Sequence, residues 1–184
     1  MIFLFIPIII FVLLAIYFIA AYNKLVNLKN SAVAAWHQID VHLTRRADLV
    51  GNLVETVKGY AAHEKTVLED VTNARSSVMQ SKSAKEAGLA SGVLDAALTR
   101  LFAVAENYPN LKANENFLSL QSQLQEIESR IASTREYYNE TVRSYNISCE
   151  SFPANLFTQA YGFTPKEYFE APQTKIEPPK VSFS

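Results

Sequence analysis

WHQIDVHLTRRADLVGNLVETVKGYAAHEKTVLEDVTNARSSV, residues 36–78, places an apolar side chain at alternating steps of three and four. The series runs Trp36, Ile39, Leu43, Val50, Leu53, Val57, Tyr60, Val67, Val71, Ala74 and Val78, and only Arg46 and Glu64 interrupt it. Residues so spaced share one face of an α-helix, in a heptad-like seam. No proline occurs between Pro7 and Pro109. The pattern therefore predicts a nearly unbroken helix from about residue 11 to residue 79, with Gly51 and Gly59 as its weak points. At 1.5 Å per residue such a rod is ~100 Å long.

Towards the N-terminus, residues 1–21 contain no charge and are dominated by Phe, Ile, Leu and Val. About 20 apolar residues in a helix cross the hydrocarbon core of a bilayer, where charged groups are costly. Pro7 falls in the first two turns, where little helical bonding is lost. A cleaved signal peptide would carry a basic stretch first and a shorter apolar run. A transmembrane anchor is the better reading. Lys24 and Lys29 flank its C-terminal side and reach the lipid headgroups. The excess of positive charge there favours a cytoplasmic position for the main domain.

Towards the C-terminus, the small residues between 80 and 92 predict a turn with ragged helix ends. A shorter helix follows over about 93–107 and stops at Tyr108-Pro109, because a residue before proline avoids helical angles. A third helix spans about 112–148, its seam being Phe117, Leu120, Leu124, Ile127, Ile131, Tyr138, Val142 and Tyr145. Pro153 starts a fourth, short helix and Gly162 caps it. The predicted fold class is all-α, with an N-terminal transmembrane helix continuing into a long antiparallel bundle of three to four helices. The domains are an anchor at 1–21, a bundle at 22–162 and an irregular tail at 163–184, tethered by Phe163, Tyr168 and Phe169. Trp36, Leu43, Leu53, Val57, Leu101, Phe117, Leu124 and Ile131 are predicted to be mostly buried, and Tyr137, Tyr138, Tyr145 and Phe152 to be core aromatics.

The 17 basic and 18 acidic residues nearly cancel, which argues against a nucleic-acid partner. A single cysteine, Cys149, forms no internal disulfide. His37 and His42 are five apart and face different ways, and His63-Glu64 lacks the second histidine of a metalloprotease helix. Neither a metal nor another cofactor is expected. Arg45-Arg46 with Asp48 suggests a headgroup patch, but a straight helix puts Arg45 ~36 Å beyond Ala21. Attraction to headgroups fades within a Debye length of about 8 Å. Arg46 and Glu64 are read instead as interhelical or intersubunit polar contacts, ~27 Å apart along one helix. The patterns Asn139-Glu-Thr141 and Asn146-Ile-Ser148 match glycosylation acceptors but fall inside a predicted helix, so they read as coincidence.

The chain resembles the LemA family of bacterial membrane proteins. The matching residues include Tyr22-Asn23, Trp36, Ile39-Asp40, Arg45-Arg46, Asn52-Leu53, Tyr60 and His63-Glu64. They continue through Ala74-Arg75, Tyr108-Pro109, Leu111-Lys112-Ala113, Tyr138-Asn139, Tyr145-Asn146, Phe152-Pro153, Gly162-Phe163 and Tyr168-Phe169-Glu170. Gly51 departs from the pattern, since family members often carry proline there. The resemblance implies one N-terminal span and a helical bundle in the bacterial inner membrane. It implies no settled biochemical activity, although some relatives are linked to building or shaping internal membranes.

The expected function is a non-enzymatic membrane-anchored scaffold that self-associates and organises or shapes the membrane. Three features lead to the homo-oligomer. The second apolar run is too short to cover both long seams, Arg46 has few intrachain acids within apparent reach, and the anchor concentrates copies in one plane. The competing expectation is a monomeric adapter that holds a membrane protein partner, such as a protease or signalling protein, near the bilayer. In that case the tail folds back and covers the seam.

Overall fold

The structure of the protein, a computed structural model, describes residues 2–158 and 161–170, apart from the side chains of residues 2–4 and 157. Among these residues it is all-helical. The order is α1 (Ile2–Lys58), α2 (Lys65–Gln80), α3 (Ala84–Ala105), α4 (Pro109–Lys112), α5 (Glu115–Glu150) and α6 (Asn155–Thr158).

α1 is 57 residues long and passes without interruption from the apolar segment into the polar part of the chain. At 1.5 Å per residue it measures ~85 Å. Its first stretch buries almost nothing against the rest of the molecule: Phe5, Ile9, Leu13 and Ile19 are all exposed. That pattern suits a helix whose solvent is lipid. From Leu25 onward one stripe is covered, with Ala32, Ala35, Ile39, Leu43, Val50, Leu53 and Val57 buried. Full burial of one such aliphatic side chain is worth about 1.5–3 kcal/mol.

The rod predicted through residue 79 breaks at Gly59. Tyr60 and Ala61 donate backward to the Val57 carbonyl at 3.0 and 2.8 Å, closing α1, and α2 starts six residues later. The seam persists across the break because α2 folds back onto α1. Its stripe of Leu68, Val71, Ala74 and Val78 then joins the same core. Gly51, the other weak point, lies inside intact helix with the Arg75 guanidinium over it.

α3 begins at Ala84, not near residue 93 as the sequence predicts. The Ser83 hydroxyl accepts from the Glu86 amide at 3.2 Å, and the Glu86 carboxylate accepts from the Lys82 amide at 2.8 Å. This reciprocal cap overrides the breaker tendency of Gly88, Ser91 and Gly92. Gly88 and Ser91 face inward, where Gly88 touches other backbone.

α5 runs antiparallel to α1 along most of the bundle, in a register fixed at three heights. Asn114 at its N-cap donates to the Tyr60 hydroxyl at 3.0 Å, Glu128 meets Arg46, and Tyr138 packs on Trp36 with ring centroids 5.9 Å apart. α2 and α3 form a hairpin against the far half of α1, giving four helices there and two nearer the anchor. A core of Ile39, Val50, Leu53, Leu94, Leu101, Ile127 and Ile131 runs through the four-helix part. Leu25, Tyr145, Cys149 and Phe163 make a second cluster beside the anchor.

Leu43, Leu53, Val57, Leu101, Phe117, Leu124 and Ile131 are buried, and Trp36, mostly covered, packs against the edge of the core. Among the four aromatics expected inside, Tyr138 and Tyr145 are buried, whereas Tyr137 and Phe152 project outward. Tyr137 precedes the seam residue by one position and so turns about 100° away from it. Phe152 lies past the end of α5, where helical periodicity no longer applies.

Candidate functional site

Arg46 sits on the buried face of α1 at 4% exposure. Its guanidinium is held between two helices. One Nη donates to Asp95 of α3, and the other lies 3.1 Å from Glu128 of α5. Nε has no hydrogen-bond partner among the described residues. The two acids are each about half-exposed and flank a shallow groove of about 370 Å³ that Leu98, Phe102, Leu124 and Gln125 complete. A charged group is costly to bury alone, so a triad joining α1, α3 and α5 fixes the register of three helices at once. Both partners come from the same chain. Of the interhelical and intersubunit partners expected for Arg46, the structure supplies interhelical ones, although few intrachain acids were expected within reach.

Glu64 is far from Arg46, at the distal turn before α2. The Tyr108 hydroxyl donates to it at 3.0 Å, and this bond to a carboxylate raises the Tyr108 pKa. With Asn114 on Tyr60, the contact ties the Gly59 turn to the α3–α5 connection.

Lys24 is exposed just beyond the apolar segment, and the Lys29 ammonium lies 5.6 Å from the centre of the Phe163 ring. Phe163 also meets Tyr22 edge-on at 5.5 Å. A cation over an aromatic face contributes about 0.5–1 kcal/mol at such a site. Thus the segment after α6 returns to the base of α1. Gly162 makes the turn at φ 71°, and the Phe163 amide donates to the Thr158 carbonyl at 2.9 Å.

From Phe163 the chain runs along α5 with no regular structure of its own. Two asparagines hold it. The Asn146 carboxamide donates to the Lys166 carbonyl at 2.9 Å and accepts from its amide at 2.8 Å. Asn139 makes the same pair of bonds with Phe169, at 3.1 and 2.9 Å. The Tyr138 hydroxyl donates to the Glu167 carbonyl at 2.8 Å between them. A carboxamide presents one donor and one acceptor side by side, as a peptide group does. Two carboxamides seven residues apart, two turns on one helix face, can therefore grip an extended strand. The segment ends against α3: a Cβ on Gly88 would lie 2.0 Å from the Glu170 carbonyl oxygen.

These are the asparagines that match the glycosylation pattern, and their work is internal. Their spacing on the face carrying Tyr138 was the signal available in the sequence. Phe163 and Phe169 are buried, while Tyr168 stays partly exposed. Residues 171–184, the remainder of the expected tail, lie outside the described residues.

His37 and His63 are exposed and His42 half-buried, and none joins a metal-binding group. Among the described residues there is no cluster of three or more His, Cys, Asp or Glu. Cys149 is buried, which pushes its thiol pKa up, away from the thiolate a nucleophile needs. Its neighbour Tyr145 is pushed up to about 12, mainly by burial and then by its hydrogen bond with Cys149.

Two magnetosome proteins of Paramagnetospirillum magneticum, MamQ 1 and MamQ 2, are each 28% identical to this chain over 175 residues. The alignment covers 81% of the chain and 64% of each relative, so the chain spans a little under two thirds of their length. The magnetosome protein MamQ of Magnetospirillum gryphiswaldense is 26% identical over 189 residues, covering 87% of the chain and 70% of the relative. The LemA family model matches residues 35–183, from the seam of α1 through the segment gripped by the two asparagines, and on that match the chain belongs to the LemA family.

Proposed function

We propose that the chain is a non-enzymatic, membrane-anchored scaffold whose copies self-associate in the plane of a bacterial inner membrane and organise the lipid around them. The observation that carries this reading is the continuity of α1, which makes the apolar span and the central strut of the bundle one rigid element. Motion of the bundle is then transmitted to the bilayer, and every copy is held in one plane and orientation. That arrangement raises the effective concentration for association. The relatives named as magnetosome proteins support a role at a membrane. The polar groups here serve packing: Arg46, Glu64, Asn139 and Asn146 all have structural partners within the chain. Lys24 and Lys29 at the exit of the span favour a cytoplasmic bundle by the positive-inside bias.

A monomeric adapter for another membrane protein is the second reading. Two observations favour it: Asp95 and Glu128 satisfy Arg46 within one chain, and residues 163–169 cover the seam next to the anchor. The mass of the full-length protein in lipid nanodiscs, with crosslinking in native membranes, separates the two. The scaffold predicts several copies per disc and a crosslinked ladder. One copy per disc and no ladder contradicts it and leaves the adapter.

A further inference from the structure

We infer that the end of the bundle that carries Phe152, Leu156 and Tyr161 is a second membrane contact, which seats the bundle directly on the surface of the bilayer that α1 crosses. Phe152 is 79% exposed and Leu156 70%, the most exposed large apolar side chains outside the span among the described residues. Tyr161, at 65%, stands beside them in sequence. Large side chains left in water at this density mark a contact surface.

The register of α5 against α1 says what covers them. Arg46 faces Glu128, and ten residues further along each helix, in opposite directions, Trp36 faces Tyr138. Twelve more in the same register bring Glu150, the last residue of α5, opposite Lys24, three residues past the apolar segment of 1–21, and Phe152 follows two residues later. The rings make the same point independently, because Tyr161 packs edge-on against Tyr22 at 5.5 Å. Below that contact, Tyr161 and Tyr22 form a cleft of about 500 Å³ with Phe18 and Ile19, both within the span. The apolar base is thus continuous with the lipid-facing surface of α1. At this height the neighbour is the headgroup and upper acyl region of a bilayer, where tyrosine rings are enriched. Lys24 and Lys29 add the positive charge that anionic lipid attracts. A helix standing alone on a membrane can tilt freely, whereas a span and an apolar base side by side fix the bundle's angle.

The inference rests on α1 spanning the membrane, and the test separates the two. Full-length protein in a Cys149→Ala background is reconstituted in nanodiscs containing anionic lipid. Nitroxides are placed at Leu156→Cys, at Phe152→Cys, at Ala113→Cys on the opposite end of the bundle, and at Leu13→Cys within the span. Collision rates with oxygen and with a water-soluble nickel complex are compared. The expected result is several-fold lower nickel access at 152 and 156 than at 113, with higher oxygen access. If 152 and 156 match 113 while 13 is deep in lipid, the apolar base does not touch the bilayer and the inference fails alone. If 13 is also accessible to nickel, the spanning role of α1 fails with it. If 113 is as protected as 156, the whole bundle lies on its side, which also overturns the inference.

Discussion

Removing the acids around Arg46 and removing Arg46 itself have unequal consequences. In Asp95→Ala/Glu128→Ala the guanidinium stays buried without compensation, at a cost of about 3–5 kcal/mol. In Arg46→Met an apolar chain of similar length takes its place. The two acids, half-exposed, turn to water, so the cost is below about 1.5 kcal/mol. Thermal melts followed by circular dichroism give the order, and a double acid variant as stable as Arg46→Met contradicts the role assigned to the triad. Tyr145 makes a separate prediction. Its phenol is raised to about 12 from 10.0, so above pH 10 the unfolded chain loses this proton while the folded chain keeps it. The unfolded state then binds fewer protons, and stability falls as pH rises from about 10 to about 12, by up to ~1.4 kcal/mol per pH unit for one group. Tyr145→Phe should flatten that slope in melts taken across this range; an unchanged slope rules out Tyr145 as its source.

At the scale of elements, the long helices were legible because a three-four seam survives every local interruption. Arg46 was legible as a polar break in that seam, but its partners were not. Asp95 and Glu128 look like ordinary surface acids until the start of α3 and the register of α5 are known. The start of α3 was hidden by Gly88, Ser91 and Gly92, whose weak helix propensity is overridden by the Ser83 cap and by close packing. The segment at 163–170 was legible only as aromatic residues in a proline-containing tail, since nothing periodic announces an extended strand held by side chains. Its attachment is testable. Gly88→Ala forces a Cβ into the Glu170 backbone, and the extended segment must move because α3 cannot. Asn139→Ala/Asn146→Ala removes four hydrogen bonds, at about 1 kcal/mol each. In both variants hydrogen exchange should speed up at the Lys166 and Phe169 amides and stay slow in the centre of α1. Unchanged protection at those two amides contradicts the clasp.

For the whole molecule, the decisive property is that one continuous helix has two different surfaces. Its first part is exposed apolar surface, and its second part is a core strut packed against α5 and α2 and tied to α3 through Arg46 and Asp95. Side chains at 13 and 41 both point outward, one in each part. The most direct measurement is the distance between spin labels at Leu13→Cys and Val41→Cys, in a Cys149→Ala background, by pulsed electron resonance in nanodiscs. Twenty-eight residues of unbroken helix separate the labelled backbones by ~42 Å. A single narrow distribution near that value is the predicted result. A broad distribution, or one centred well below it, would mean a hinge between span and bundle and would contradict rigid coupling to the membrane.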